Sequence, residues 1–234
     1  MAAAPRRFVF LLFPLAFGGP AFAADMAVKA PPPVIAQPYS WTGPYLGISG
    51  GYGWGNSRQT DPGFQLVAAD GSYSVDGGII GGTLGYNWQQ GQWVLGVEGD
   101  YSWADIGGSS NICGASFIAH SCGTDLQSLG TLRGRVGYAM GATGNWLPYA
   151  TGGLAFGELH AWDAFTPASG SDFRTGWTLG GGIETGLARN WTLKVEYLYV
   201  DLGSRQMFDV VPSLPETVSF TANIIRAGID YSFH

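Results

Sequence analysis

From residue 45 to the C-terminus the chain repeats one pattern, runs of about ten residues in which apolar side chains alternate with polar or glycine positions. Successive side chains on a strand point to opposite faces, so each run predicts a strand with one apolar face; about ten residues is also the length a tilted strand needs to cross a bilayer. Eight strands are predicted: Tyr45–Gly55, Gly78–Gln89, Trp93–Trp103, Leu126–Met140, Trp146–Gly157, Thr175–Leu187, Trp191–Val200 and Phe220–Phe233. The links 90–92, 141–145 and 188–190 are short and the other four are long, and the two kinds alternate without exception. Such alternation is what an up-and-down barrel with an even strand number produces, with short turns on the side that carries both termini. The expected fold is therefore all-β, an eight-stranded antiparallel up-and-down transmembrane β-barrel over residues 45–234.

The charges obey the same period. In the third strand Trp93, Leu95, Val97, Tyr101 and Trp103 share one parity, and Glu98 and Asp100 take the other. The fourth sets Leu132, Val136 and Tyr138 against Arg133 and Arg135, and the sixth sets Trp177, Leu179 and Ile183 against Glu184. In the seventh, Trp191, Leu193, Val195, Tyr197 and Tyr199 oppose Lys194 and Glu196; in the eighth, Ile225, Ile229, Tyr231 and Phe233 oppose Arg226 and Asp230. Random parity would place nine charges this way about once in five hundred trials. The first and fifth strands are too rich in glycine for the test.

A soluble sandwich alternates in the same way with its apolar face inward, so the aromatic residues decide between the two. Trp88, Trp93, Trp146 and Trp191 flank the short turns, while Trp54, Trp103, Phe156, Trp177 and Tyr199 lie near the long-link ends. Two girdles of amphipathic rings mark two membrane interfaces. Inside such a barrel Glu98, Asp100, Glu184, Glu196 and Asp230 meet Arg133, Arg135, Lys194 and Arg226. An eight-stranded barrel is only wide enough to be filled by its own side chains, so this near-neutral set predicts an ion-pair network that plugs the lumen; the alternative is a narrow diffusion pore for small solutes.

Ahead of the barrel, Arg6 and Arg7 precede an apolar run from Phe8 to Phe17, and Ala21-Phe22-Ala23 supplies the small residues of a cleavage site. Residues 1–23 read as a signal peptide, since the run is too short and too interrupted for a spanning helix. Residues 24–44 contain Pro31, Pro32, Pro33, Pro38 and Pro44, which favour extended chain, and read as a periplasmic linker. The formal net charge of −6 offers no basic surface for a phosphate backbone, which excludes nucleic acid as a partner. Glycine makes up 38 of the 234 residues, more than twice the usual share of roughly 7%. Strand glycines suit close packing in a lumen but also weaken strands, and the pattern alone does not choose between these effects.

Six segments carry a resemblance: WTGPYLG (Trp41–Gly47), GGTLGYNWQ (Gly81–Gln89), GVEGDYSWADI (Gly96–Ile106), LGTLRGRVGYA (Leu129–Ala139), LPYATGGLAFG (Leu147–Gly157) and TLKVEYLYVDLG (Thr192–Gly203). Through them the chain resembles the small porin-family outer-membrane proteins of alphaproteobacteria, the RopB-like surface antigens, with barrels of the OmpA/OmpX type. Arg226, Gly228, Tyr231 and Phe233 resemble the C-terminal assembly signal of outer-membrane barrels, although here His234 follows the usually terminal aromatic. The resemblance implies an outer-membrane location among lipid and lipopolysaccharide, insertion by the barrel-assembly machinery, and a role in envelope integrity, surface contact or limited solute passage. Peptidoglycan and host surfaces are the candidate partners, and no catalytic residues are implied.

Candidate chemistry is sparse. Cys113 and Cys122 lie in one long outer link of an exported chain and are expected to form a disulfide; no second Cys or His pair accompanies them at zinc-ligand spacing. A lipid A acyl hydrolase or acyltransferase would need a His beside a Ser or carboxylate, and only His120, His160 and His234 are available, none in a nucleophile motif. His160 is the one plausible base, and no enzyme activity, cofactor or metal is expected. The outer links collect Asp61, Asp70, Asp76, Asp105, Asp125, Asp163, Asp172, Asp209 and Glu216 against Arg58, Arg174 and Arg205. That is an acidic, soluble rim, and it lacks the spacing of a calcium loop that cation bridging to lipopolysaccharide would call for.

Overall fold

The computed structural model describes residues 38–60, 70–113, 120–164, 168–211 and 214–233. The predicted signal peptide and the linker up to residue 37 lie outside the described residues. Eight strands follow one another: β1 (Gly43–Thr60), β2 (Asp70–Gln90), β3 (Trp93–Cys113), β4 (His120–Tyr138), β5 (Trp146–Asp163), β6 (Ala168–Gly186), β7 (Trp191–Val211) and β8 (Leu214–Ser232). Each pairs antiparallel with the next, and β1 closes the barrel against β8 from Tyr45↔Ser232 to Thr60↔Thr217. Among the described residues no helix is long and apolar enough to cross a membrane.

Strand number and order agree with the sequence pattern, but strand length does not. The strands run to 18–21 residues because β1 to β8 continue well past the predicted outer ends. Beyond the apolar band the outer face of a strand meets water and carries polar residues while the inner face stays buried, so the outward apolar alternation fades while the backbone ladder continues. The expected long links consequently shrink to 61–69, 114–119, 164–167 and 212–213, and the last three no longer exceed the inner link 139–145. His120, Asp76, Asp105, Asp125 and Asp172, expected in loops, belong to strands for this reason.

The wall is apolar outside. Leu46, Ile48, Ile80, Leu84, Leu95, Leu132, Leu154 and Leu179 stand 49–69% exposed, an arrangement water would penalise and hydrocarbon accepts. Exposed Trp88, Trp93, Trp146 and Trp191 ring the end that carries the termini, and Trp54, Trp103 and Trp177 ring the other. Neighbouring rings brace both girdles: Trp93 meets Tyr138 and Trp191 meets Tyr231 on the inner side, and Phe156 meets Phe173 and Trp177 meets Tyr199 on the outer.

A bulge resets one strand. Gln127 has no partner between Leu126 and Ser128 in the ladder with β5, and the ladder with β3 shifts at the same level. Inner-half positions Leu129, Thr131, Arg133 and Arg135 are buried at odd numbers, whereas Cys122, Thr124 and Leu126 above the bulge are buried at even numbers. One extra residue thus swaps the faces of β4 partway along its length. The glycines also acquire a reason, since at Gly85 a Cβ would enter the Tyr45 ring that lies over it inside the barrel.

Candidate functional site: the barrel interior

The interior is filled in layers. At the inner mouth residues 38–42, expected as the end of the linker, fold across the opening. Trp41 is 4% exposed, donates its indole N–H to the Gly144 carbonyl at 2.8 Å, and donates its backbone N–H to the Gln89 side chain at 2.8 Å. Tyr39 donates its backbone N–H to the Thr143 carbonyl at 2.7 Å and packs its ring, tilted, against Trp41 with ring centroids 4.7 Å apart. Both rings pack with Val94, Ala139 and Leu147. This strap therefore joins the base of β1 to the β2–β3 and β4–β5 turns. Burial, with the Glu184 carboxylate adding, pushes the Tyr39 phenol up to about 12.

Above the strap lies the charged layer. Sequence parity assigns all nine residues to one face, and the structure buries every one to 6% exposure or less. Arg133 is the hub: its guanidinium forms a short contact with Glu98, reaches Asp100 at 3.0 Å and Glu196 at 2.7 Å, and donates Nε–H to the Thr131 hydroxyl at 2.9 Å. Arg226 holds Asp100 at 3.0 Å and Glu196 at 2.8 Å. Arg135 donates to Glu184 at 2.6 Å and lies 4.5 Å from the centre of the Tyr149 ring. Lys194 lies 3.1 Å from Glu98 and 3.2 Å from Asp230. Neutral hydroxyls complete the shell, Tyr45 donating to Glu98 at 2.7 Å and Tyr149 to Glu196 at 3.0 Å. Charge-assisted bonds of this kind in a dry interior are strong individually, and they hold only as a satisfied set.

Toward the outside the filling changes character. Val75, Ile79, Ile106, Leu126, Leu129, Leu159, Leu198, Val200, Leu202, Phe220, Ala222 and Ile224 form one buried apolar cluster inside the barrel. The interior is therefore filled by two materials, and the expectation of paired charges in the lumen describes only its inner half. The missed signal was present: Leu198 and Val200 share parity with Lys194 and Glu196, and Phe220, Ala222 and Ile224 share parity with Arg226. Above the apolar layer Ser57, Gln59, Tyr73 and Thr124 form a hydrogen-bonded cap. Arg174, expected among outer-link bases, instead points inward, is fully buried, and donates to the Val218 and Arg205 carbonyls.

The remaining candidates lie apart from this interior. Arg226 and Gly228 of the C-terminal pattern face inward, while Tyr231 and Phe233 meet edge to face on the inner girdle with ring centroids 4.9 Å apart. Cys122 is buried in β4 opposite Ser110, and Cys113 pairs with His120 in the same ladder. His160 lies on the outer rim with Nδ1 3.1 Å from the Ser171 hydroxyl. Nearby, burial raises the Asp125 carboxyl, with His160 opposing and Asp105 adding. Tyr52 donates to Asp76 in a short contact, and Asp172 lies 3.7 Å from Arg174. Among the described residues no group of three His, Cys, Asp or Glu is gathered that could hold a metal ion.

Comparison with known proteins agrees with this architecture. Residues 12–233 match the family described as outer membrane protein beta-barrel domain. The chain is 39% identical over 240 residues to the 31 kDa outer-membrane immunogenic protein of Brucella melitensis, covering 93% of this chain and 95% of that protein. It is 33% identical over 197 residues to the 22 kDa outer membrane protein of Rhizobium leguminosarum bv. viciae, covering 83% and 79%. Among solved structures, the outer membrane protein OprG from Pseudomonas aeruginosa superposes with a TM-score of 0.53 at 14% identity, covering 84% of this chain and 98% of that one.

Proposed function

The chain belongs to the outer-membrane protein β-barrel domain family and is an outer-membrane protein; from that premise we propose that it is a closed barrel serving envelope integrity and surface contact, without catalytic activity. The observation that carries this reading is the continuous filling of the lumen, strap, ion pairs and apolar cluster in succession. The names of its Brucella relatives, outer-membrane immunogenic proteins, support exposure of the outer rim. Surrounding lipid and lipopolysaccharide, the barrel-assembly machinery acting on Arg226, Gly228, Tyr231 and Phe233, and a host surface or peptidoglycan are the partners this reading names. Residues 1–23 act as the export signal and the proline-rich stretch after them as a periplasmic linker.

Single-channel recording on the refolded chain in a planar bilayer tests the reading, beside an Arg133→Ala, Arg135→Ala variant. Both are expected to stay silent, because the apolar layer is untouched by the two substitutions. Steady, voltage-tolerant openings in the unmutated protein would make a narrow solute pore its function. Openings in the variant alone would show that the charges form the sole seal.

The Cys113–Cys122 disulfide is part of the same proposal, tying β3 to β4 above the membrane. Its support is that no cysteine is free among the described residues. Two titratable thiols in the native, unreduced protein would refute it.

A further inference from the structure

The charged layer does not balance. Five carboxylates, Glu98, Asp100, Glu184, Glu196 and Asp230, are buried with four bases, Arg133, Arg135, Lys194 and Arg226. The other buried base, Arg174, lies ten residues along β6 from Glu184, about 33 Å at strand rise, and has Asp172 beside it at 3.7 Å. One negative charge is left over in a region that water does not reach, and an uncompensated buried charge is among the costliest defects a fold can carry.

The excess has an address. Four of the carboxylates accept a hydrogen bond from a neutral hydroxyl in addition to their bases: Glu98 from Tyr45, Asp100 from Thr131, Glu184 from Thr192 and Glu196 from Tyr149. Asp230 has no such donor. Lys194 Nζ lies 3.2 Å from its Oδ2 but is shared with Glu98, and neither oxygen of Asp230 accepts a hydrogen bond. Gly47 pairs with Asp230 on β8 and with Thr83 on β2, so the three stand in one row on the inner wall. A Cβ at Gly47 would fall on the Asp230 carboxylate, which means the glycine makes the room that this carboxylate occupies. On the other side of the glycine, Thr83 is 4% exposed and its hydroxyl also has no hydrogen-bond partner.

We propose that the barrel holds one small hard monovalent cation of the sodium class, bound by the Asp230 carboxylate and the Thr83 hydroxyl above Gly47. Oxygen-only ligands select a hard cation over a soft one, and a single carboxylate with a neutral oxygen matches a single excess charge. A proton on Asp230 would also neutralise the layer, but it would leave a carboxylic-acid group that infrared spectroscopy detects, which a bound cation would not. The site rests on the filled lumen proposed above, and it extends that reading from a passive seal to a seal completed by an ion.

The test is thermal unfolding of the refolded full chain in detergent micelles, in sodium chloride and in choline chloride at equal ionic strength and pH. Choline carries the same charge in a body too large for the site. The midpoint is expected to be several degrees higher in sodium, with a saturable dependence on sodium concentration, and the difference is expected to vanish in Thr83→Val and Asp230→Asn. Thr83→Val preserves shape and charge, so it keeps the test decisive where Asp230→Asn fails to refold. Equal midpoints in the two salts overturn the cation site. An infrared carboxylic-acid band at neutral pH that Asp230→Asn removes overturns it in favour of a proton. Conductance separates this outcome from the closed-barrel reading: a barrel that conducts yet responds to sodium refutes closure and keeps the site, and a silent barrel indifferent to sodium does the reverse.

Discussion

Replacing Arg133 by methionine removes a cation of similar length from the centre of the interior. Its side chain is fully buried, and Glu98, Asp100 and Glu196 all lean on it. Each keeps another base, since Lys194 and Arg135 still reach Glu98 and Arg226 still reaches both Asp100 and Glu196. The variant nevertheless leaves five carboxylates facing three bases within the layer. Breaking a buried pair by removing one partner costs about 3–5 kcal/mol, whereas an exposed pair is worth about 0–1 kcal/mol. Sharing the loss among three acids with remaining partners places the expected destabilisation at about 4 kcal/mol. Urea unfolding of the barrel refolded into lipid vesicles, followed by tryptophan fluorescence, measures it. A Glu98→Gln variant and the double variant complete a cycle, in which direct partners should couple by about 0.5–3 kcal/mol. A loss below about 1 kcal/mol, or strict additivity, would show that water reaches these groups and that the layer is no seal.

Three further outcomes follow from other parts of the barrel. Phe220→Ala in the apolar layer should cost about 3–5 kcal/mol, by loss of burial and by the cavity left behind, in the same urea assay. Leu132→Arg places a charge on the outer wall midway between the girdles and should cost about 2–4 kcal/mol in vesicles; an unchanged midpoint would mean that this wall does not face lipid. With a folded pKa of about 12 against an ordinary value of 10, Tyr39 contributes stability that is complete below pH 10 and is lost as pH rises through 12. Docking of the strap, read by quenching of a probe placed at the inner mouth, should therefore weaken between pH 10 and 12, and Tyr39→Phe should abolish that step.

Legibility in the sequence followed the medium around each segment. Inside the bilayer one face of a strand meets hydrocarbon and the other meets the lumen, so Leu95 and Glu98 sort by parity and nine charges could be assigned without coordinates. Above the membrane that contrast is lost, and β7 beyond Val200 shows no alternation although its ladder continues to Val211. The apolar layer escaped for a related reason, because Leu198 and Val200 share the parity of Lys194 and Glu196 but stand beside outward Tyr197 and Tyr199, so the run is apolar on both faces and its inward set does not stand out. Pairing was beyond the pattern altogether. Which acid meets Arg133 depends on partners 33 to 63 residues away, through hydrogen-bonded pairs that only the closed register brings together. Trp41 was read as the end of a linker because its neighbours Pro38 and Pro44 signal extended chain, and extended chain is also what crosses a mouth.

The strand extensions beyond the outer girdle set the working height of this protein. From Trp103 to Cys113 β3 continues for ten residues, which at strand rise and a tilt near 40° lifts its end about 25 Å above the interface. The strand ends thus stand on a collar, clear of the lipid headgroups and well removed from the ion pairs inside the bore. On the closed-barrel reading, sequence drift or an inserted epitope at the tips therefore changes what the cell displays without changing what it lets leak. That reading places recognition and containment at different altitudes on one cylinder, where each can be altered while the other is held fixed.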